Sequence, residues 1–234
     1  MSEREARLRT QKAYSKELAE RYDLRHFGGK SGHHILQKDS AALAALLPPP
    51  PGLVLDIPCG TGIYTARFAT YGYDLVAADA SSPMLEITGQ RGASTPRTLC
   101  SIHQLPFADN TFDATMTLRL FSHFEPNDVV RGLVELRRVI KPGGRVIFDT
   151  FRWTPRRWPV LRRFVAQSYI YEIASADVQK LIQEAGLRTV ATKTCYLFSP
   201  IWQRKLPYIL LRTLTALETL LPDRLLLREF WACQ

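Results

Sequence analysis

The chain has 234 residues, 46% hydrophobic and 23% charged, with 13 Gly and 15 Pro, an ordinary globular composition that excludes collagen-like, low-complexity and largely disordered chains. Its four cysteines (Cys59, Cys100, Cys195, Cys233) are far apart with no C-x-x-C pair, which argues against a disulfide framework and against a zinc site or other metal centre. The net charge of +9 is lopsided, with 13 basic and 6 acidic residues in 152–234 against 18 and 16 in 1–151, so an anionic partner near the C-terminal end is expected: an acidic substrate, an anionic membrane surface or a nucleic acid.

The first residues, Met1-Ser2-Glu3-Arg4-Glu5, are charged and carry no apolar h-region, and no apolar run reaches the length of a membrane span. A cytoplasmic protein of a reducing compartment is expected. Residues 3–22, rich in Glu, Arg, Lys and Ala, predict an exposed helix that Gly28, Gly29 and Gly32 break. A second helix is predicted from His33 or His34 to Leu47, stopping at the stiff run Pro48–Pro51. The adjacent His33 and His34 would diverge on a helix, so they read as structural rather than as a metal pair.

Strands and helices then alternate. Leu53–Ile57 predicts a first strand, followed by a glycine turn and a helix near Tyr64–Tyr71. Tyr73–Ala78 is a second strand and Pro83–Gln90 a helix. Residues 97–102 form a third strand and Phe112–Leu118 a fourth. Asn127–Ile140 is a helix, and Arg145–Phe151 a fifth strand after the turn Lys141-Pro142-Gly143-Gly144. Such alternation predicts an α/β fold, a parallel sheet with helices on both faces. In the tail, residues 176–185 predict a helix ended by Gly186, Leu187–Leu197 a strand, and Leu225–Ala232 a last strand. Between these strands lies the amphipathic stretch Leu206–Leu221, where Leu210, Leu214, Leu217 and Leu221 share one helix face that would cover the sheet. The two final strands would pair antiparallel at the sheet edge.

The chemistry gathers after the first strand, in Val54-Leu55-Asp56-Ile57-Pro58-Cys59-Gly60-Thr61-Gly62. Gly60 and Gly62 let the backbone approach a ligand closely at the carboxyl edge of the sheet. A dinucleotide fold has a glycine turn here too, but Thr65 stands where its third glycine would be. Asp56 would repel a pyrophosphate and hold an ammonium group. S-adenosylmethionine, with an α-ammonium and a sulfonium, fits that polarity. Asp79, ending the second strand, can accept hydrogen bonds from both ribose hydroxyls; the plainer role is an N-cap, for which Ser81 and Ser82 are better placed.

With these residues the chain resembles the class I S-adenosylmethionine-dependent methyltransferases, within them the ubiquinone/menaquinone-methyltransferase-like group. The resemblance runs from about Leu53 to Phe151. Besides the turn, it rests on Leu105-Pro106-Phe107-Ala108-Asp109-Asn110-Thr111-Phe112-Asp113, Leu118-Arg119-Leu120-Phe121-Ser122-His123-Phe124 and Glu135-Leu136-Arg137-Arg138-Val139-Ile140-Lys141-Pro142-Gly143-Gly144. It implies a doubly wound, mostly parallel seven-stranded sheet of the Rossmann-like methyltransferase kind with an antiparallel last strand. It also implies an N-terminal helical lid over residues 1–50 and a methyltransferase domain over 51–234. Asp56, Gly60, Thr61 and Gly62 would hold the methionine part of the cofactor and Asp79 the ribose. Ala80 and Met84 would flank the adenine, with Ser101 and Ile102 where the family usually has an Asp for the adenine amino group. Leu118 and Arg119 would line the site, and Tyr22 would be the lid contact. Pro58 replaces the usual first glycine of the turn.

Methyl transfer needs alignment above all, and a base where the acceptor must lose a proton. His123, just past the fourth strand, is the candidate base and acceptor contact; packing or capping the next helix is the plainer role. Arg119 could meet the cofactor carboxylate or an acidic substrate. Arg152, Trp153 and Arg156 belong to a basic Arg/Trp loop over about 151–163 that would help bind an anionic or lipophilic acceptor. Together with the amphipathic stretch near 204–221, that loop leaves room for peripheral contact with a membrane. The reading is a methyltransferase for a small lipophilic or aromatic acceptor. The rivals are an RNA or other nucleic-acid methyltransferase, disfavoured because no Asn/Asp-Pro-Pro-aromatic box follows the fourth strand, and a catalytically inactive cofactor-binding protein.

Overall fold

The computed structural model describes residues 16–92, 94–152, 173–197 and 206–234. Two helices come first, α1 (Lys16–Phe27) and α2 (Gly29–Leu46). α2 starts earlier than its apolar pattern predicts because Gly29 takes a left-handed φ of 69°, open to a residue without a β-carbon. At Gly32 a β-carbon would lie 2.2 Å from the carbonyl carbon of Phe27, so glycine is what lets the helices meet. The inward row of α2 is Ile35, Asp39, Ala42, Leu43 and Leu46, all buried. Its spacing is helical, and it contains an acid.

There follow β1 (Leu53–Asp56), α3 (Ile63–Ala69), β2 (Asp74–Asp79), α4 (Ser82–Arg91), β3 (Arg97–Leu99), β4 (Phe112–Thr117), a 3-10 turn (Phe121–His123), α5 (Pro126–Val139) and β5 (Ile140–Phe151). The last part holds α6 (Ser175–Glu184), β6 (Thr189–Cys195), α7 (Tyr208–Glu218), a second 3-10 turn (Asp223–Leu225) and β7 (Arg228–Cys233). The strands form one seven-stranded sheet in the order β3-β2-β1-β4-β5-β7-β6. The pairs from β3 to β5 are parallel, and β7 runs antiparallel to both β5 and β6. The α/β expectation and the antiparallel last strand are both met.

The final two strands pair antiparallel at the sheet edge as expected, with β7 inserted between β5 and β6 so that β6 is outermost. Burial explains the order: all six residues of β7 are buried, as a strand covered on both faces must be. β6 exposes Val190, Thr192 and Lys193, and a lysine suits an edge that must not recruit another strand. Strand β5 also starts at Ile140 rather than Arg145, with a bulge between the pairs Phe112–Ile140 and Ala114–Arg145.

Side chains alternate across the sheet. Val146, Phe148, Trp231 and Cys233 pack with Leu133 and Leu136 of α5 and Ile182 of α6. Ile147, Phe230 and Ala232 face the other way, with Leu43 of α2 and Phe68 of α3. The motifs carrying the resemblance also meet physically. Arg138 donates to the carbonyls of Leu105 (2.9 Å) and Phe107 (2.8 Å), and Glu135 accepts the Leu105 N–H at 2.9 Å.

The inward face of α7 is not the predicted one. Leu211 and Glu218 are its buried residues, while Leu210 and Leu217 are 43% and 53% exposed. Glu218 decides this. It accepts the backbone N–H of Leu197 at 2.9 Å and of Tyr196 at 3.4 Å, and it pairs with Lys38 of α2. A carboxylate with three donors sets the helix rotation against a leucine row with nothing to cover.

Candidate functional site

Strand order reverses at β1, between β2 and β4, the place where open α/β sheets leave a crevice beyond the strands' carboxyl ends. Asp56 ends β1 beside Ala77 of β2 and Met116 of β4. The Ile57–Pro58 bond that follows is cis, and the Cys59 N–H donates to the Ala78 carbonyl at 2.8 Å. Gly60 and Gly62 have φ of 55° and 71°, left-handed values that favour glycine. Their surroundings differ. A β-carbon at Gly62 would lie 2.7 Å from Thr88 Cγ2, whereas at Gly60 no atom of the described residues lies within 4 Å. Gly62 is needed for packing, and Gly60 leaves open space above the turn.

Asp56 is 2% exposed. One carboxyl oxygen accepts from Thr65 Oγ1 at 2.6 Å, and among the described residues no basic side chain pairs with it. Burial pushes its pKa up to about 7, with nearby Asp79 adding to the rise and the Thr65 hydrogen bond opposing it. The turn therefore holds a desolvated acid in want of a cation. Asp79 accepts the Gly60 N–H on Oδ2 and the Ser81 N–H on Oδ1, both at 2.8 Å. Burial raises its pKa, and those amides with that of Ala80 pull against the rise. The N-cap of α4 is Ser81, whose Oγ accepts from the Met84 N–H at 3.4 Å.

Helix α1 reaches this turn through Asp23. Thr61 Oγ1 donates to Asp23 at 2.5 Å, Asp23 pairs with Arg91, and Arg91 Nε donates to the Thr61 carbonyl at 3.0 Å. Tyr22 is half-buried, with its ring 4.3 Å from that of His26. From the pair Tyr22-Asp23 the resemblance singles out Tyr22, whereas the residue bonded to the turn is Asp23. Thr65 and Thr88 were missed as well, although both lie at helical spacing from the turn or its neighbouring helix.

Ala80 is exposed and Met84 buried. Ser101 is half-buried and accepts the His103 N–H at 3.3 Å, and Ile102 is buried. The His103 ring stacks on Phe124 at 5.0 Å, which ties the loop after β3 to the one after β4. Leu118 is buried.

Arg119 has a φ of 58°, a left-handed conformation that a β-carbon disfavours and that functional sites tend to hold. Its N–H donates to Asp149 Oδ1 at 2.6 Å, which holds the backbone there. Its guanidinium sits 4.7 Å from the Phe27 ring centre and donates to Asp39 at 3.2 Å and to the Tyr64 hydroxyl at 3.3 Å. Behind it lies a buried cluster invisible in the linear sequence. Asp39 takes two bonds from Arg228 Nη1 at 2.8 Å, one from the Tyr196 hydroxyl at 2.6 Å and one from that of Tyr64 at 2.6 Å. Arg228 Nε donates to Asp149 at 2.7 Å. Burial alone would raise the Asp39 pKa, but Arg228 and Arg119 with the two tyrosines outweigh it and hold it low. Two acids and two arginines balance in charge.

His123 ends the 3-10 turn after β4 and is exposed. Arg152 is engaged elsewhere, donating to the Asp223 carbonyl at 2.7 Å and lying 3.5 Å from Glu229. Trp153, Arg156 and nearly all of the Arg/Trp loop lie outside the described residues. Among the described residues, no group of three His, Cys, Asp or Glu is placed to hold a metal ion.

The family model described as a methyltransferase domain matches residues 55–148. The chain is 41% identical over 115 residues to the demethylmenaquinone methyltransferase of Clavibacter sepedonicus, covering 47% of this chain and 44% of that enzyme. It is 31% identical over 196 residues to the demethylmenaquinone methyltransferase of Corynebacterium kroppenstedtii, covering 74% of this chain and 83% of that one. It thus spans less than half the length of the first of these relatives and most of the second. In fold it is similar to the magnesium protoporphyrin IX methyltransferase of Synechocystis PCC 6803 solved with bound S-adenosylmethionine, at a TM-score of 0.65 and 15% identity, covering 97% and 95% of the two chains. By sequence and by fold, this chain belongs to the class I S-adenosylmethionine-dependent methyltransferases, in the ubiquinone/menaquinone-methyltransferase-like group.

Proposed function

We propose that this chain methylates a small lipophilic or aromatic acceptor, such as a quinone precursor, phenol or lipid, with S-adenosylmethionine as cofactor. The observation that carries the reading is the buried carboxylate of Asp56, paired with no basic side chain among the described residues, beside the open space at Gly60, with Asp79 at the end of the neighbouring strand. An ammonium group satisfies the first acid and ribose hydroxyls the second, so the donor set fits the cofactor. The cofactor supplies an electrophilic methyl whose leaving group departs neutral.

The protein's own part is alignment. Asp56 fixes the amino-acid end and Asp79 the sugar, with Met84, Ser101 and Ile102 around the base. Arg119, anchored by Asp39 and Tyr64, offers a fixed cation to a carboxylate. Asp23 and Tyr22 bring α1 over the turn and keep water out. Arg152, just after β5, is held by the Asp223 carbonyl and Glu229. The acceptor class is supported by the relatives named as demethylmenaquinone methyltransferases. A methylation assay with labelled cofactor on membrane lipid extract and on total RNA tests the reading, with the product identified by mass spectrometry. Label in a lipid-soluble product is expected; label in RNA alone would overturn it.

Cofactor binding should depend on pH through Asp56. Its folded pKa lies above the ordinary carboxylate value of 3.8, at about 7, so in the ligand-free protein its contribution to stability is full below the ordinary value and is lost as pH rises through about 7. An ammonium ligand needs the ionised form. Affinity for S-adenosylhomocysteine by calorimetry should therefore fall about tenfold per unit once the pH drops below about 7. Asp56→Asn should be weak and flat across that range. A flat wild-type profile would contradict the ammonium assignment.

His123 is proposed as the base that takes the acceptor's proton. His123→Ala should lower kcat by about 10²–10⁴ and leave cofactor affinity within about twofold. Full turnover in the variant would remove His123 from the chemistry.

A further inference from the structure

The exposed face of α7, which packs on α2, is apolar. Ile209 is 77% exposed, and Leu220, just beyond the helix, is 80% exposed. At 3.6 residues per turn, Ile209, Leu210, Thr213, Leu217 and Leu220 fall within an arc of about 120°. That arc carries no charge. The single acid of the helix, Glu218, is buried against Lys38.

One flank of the arc is basic, on the side of Tyr208. Arg212 is exposed on α7, and Lys30 and His33 are exposed on α2. Lys30, His33, His34 and Tyr208 line an open cleft of about 450 Å³ beside the helix. Arg212 lies close enough to the half-buried His34 to add to the effect of burial and of Lys38 in lowering its pKa. The next acid along the chain, Asp223, accepts from Thr194 of β6 at 2.6 Å.

We propose that this face docks the protein onto an anionic lipid surface, the leucines and isoleucine entering the acyl boundary and Arg212, Lys30 and the cleft meeting phosphate headgroups. An amphipathic helix with an apolar face and a basic flank lies in the membrane interface. No described helix is long and apolar enough to cross a membrane, so the contact is peripheral. A second copy of the chain fits less well, because two-fold pairing sets like cations against each other with no accessible acid on the helix to answer them. The proposal goes beyond the methyl-transfer reading and stands apart from it.

The test is flotation of the full chain with vesicles of phosphatidylcholine alone and of phosphatidylcholine with phosphatidylglycerol. Binding is expected on the anionic vesicles and not on the neutral ones. Ile209→Asp with Leu217→Asp should weaken it at least tenfold, and Arg212→Glu about fivefold. Leu220→Asp, outside the helix, gives the same reading should the double variant fail to fold. No vesicle binding by the wild type, or binding that survives Ile209→Asp/Leu217→Asp and Leu220→Asp, would overturn the proposal. So would sedimentation showing that these substitutions instead break a dimer. Cofactor titration of the same samples reports on the methyl-transfer reading separately.

Discussion

Arg228→Met is expected to lower the unfolding free energy by about 3–5 kcal/mol, the loss that follows when one partner of a buried ion pair is removed. The guanidinium is 1% exposed and bonds to both Asp39 and Asp149. Without it, Asp39 keeps the Arg119 guanidinium and the two tyrosine hydroxyls, while Asp149 is left with the Arg119 backbone N–H. Among the described residues its Nη2 has no hydrogen-bond partner, so the residue is not optimised for stability by itself. What it joins is α2, β5 and β7, and through Asp149 the backbone at Arg119. Replacing Asp39 by Leu in the same chain should return part of the loss, since the two changes share a contact. Guanidinium denaturation of the single and double variants checks this, and a loss below about 1 kcal/mol would show that the cluster behaves like a surface pair. The Asp39 pKa is depressed, so its contribution holds above the ordinary carboxylate range and is lost as the pH falls through the depressed value.

Asp79→Ala is expected to weaken cofactor affinity about 10- to 100-fold, the equivalent of about 1.5–3 kcal/mol for hydrogen bonds to a charged group. The same side chain holds the N–H groups of Gly60 and Ser81, so part of the effect would come from a loosened turn. Asp79→Asn separates the two causes. It keeps one acceptor for the turn and loses the charge and the second acceptor that a pair of hydroxyls requires. Calorimetry with S-adenosylhomocysteine should place Asn between wild type and Ala. An unchanged affinity in both variants would reject the ribose assignment.

The sequence made the sheet legible from β1 to β5 because glycine and proline punctuate short strands and helices whose apolar periods differ. The turn was legible for the same reason: Asp56, Gly60, Gly62 and Asp79 are close in sequence and stand at strand ends. What stayed hidden depends on distant pairing. Asp39 reads as a polar residue in an amphipathic helix until Arg228 is brought to it across 189 residues. The rotation of α7 likewise follows from Glu218 and its partners on α2 and after β6, which no window on the leucines contains. The place of β7 between β5 and β6 was readable in part. Leu225–Ala232 is apolar at six of eight positions, broken by Arg228 and Glu229, and Leu187–Leu197 at six of eleven, a contrast that leans toward an interior strand and an edge. In α1 the resemblance of Tyr22-Asp23 to a family feature pointed to Tyr22, while the carboxylate that touches the turn is its neighbour Asp23.

A crystal structure of the protein with S-adenosylhomocysteine bears on all of this most directly. The amino-acid end should lie at Asp56 above Gly60 and the ribose at Asp79. Density for the ligand away from this crevice, or a nicotinamide dinucleotide displacing it there, would contradict the account.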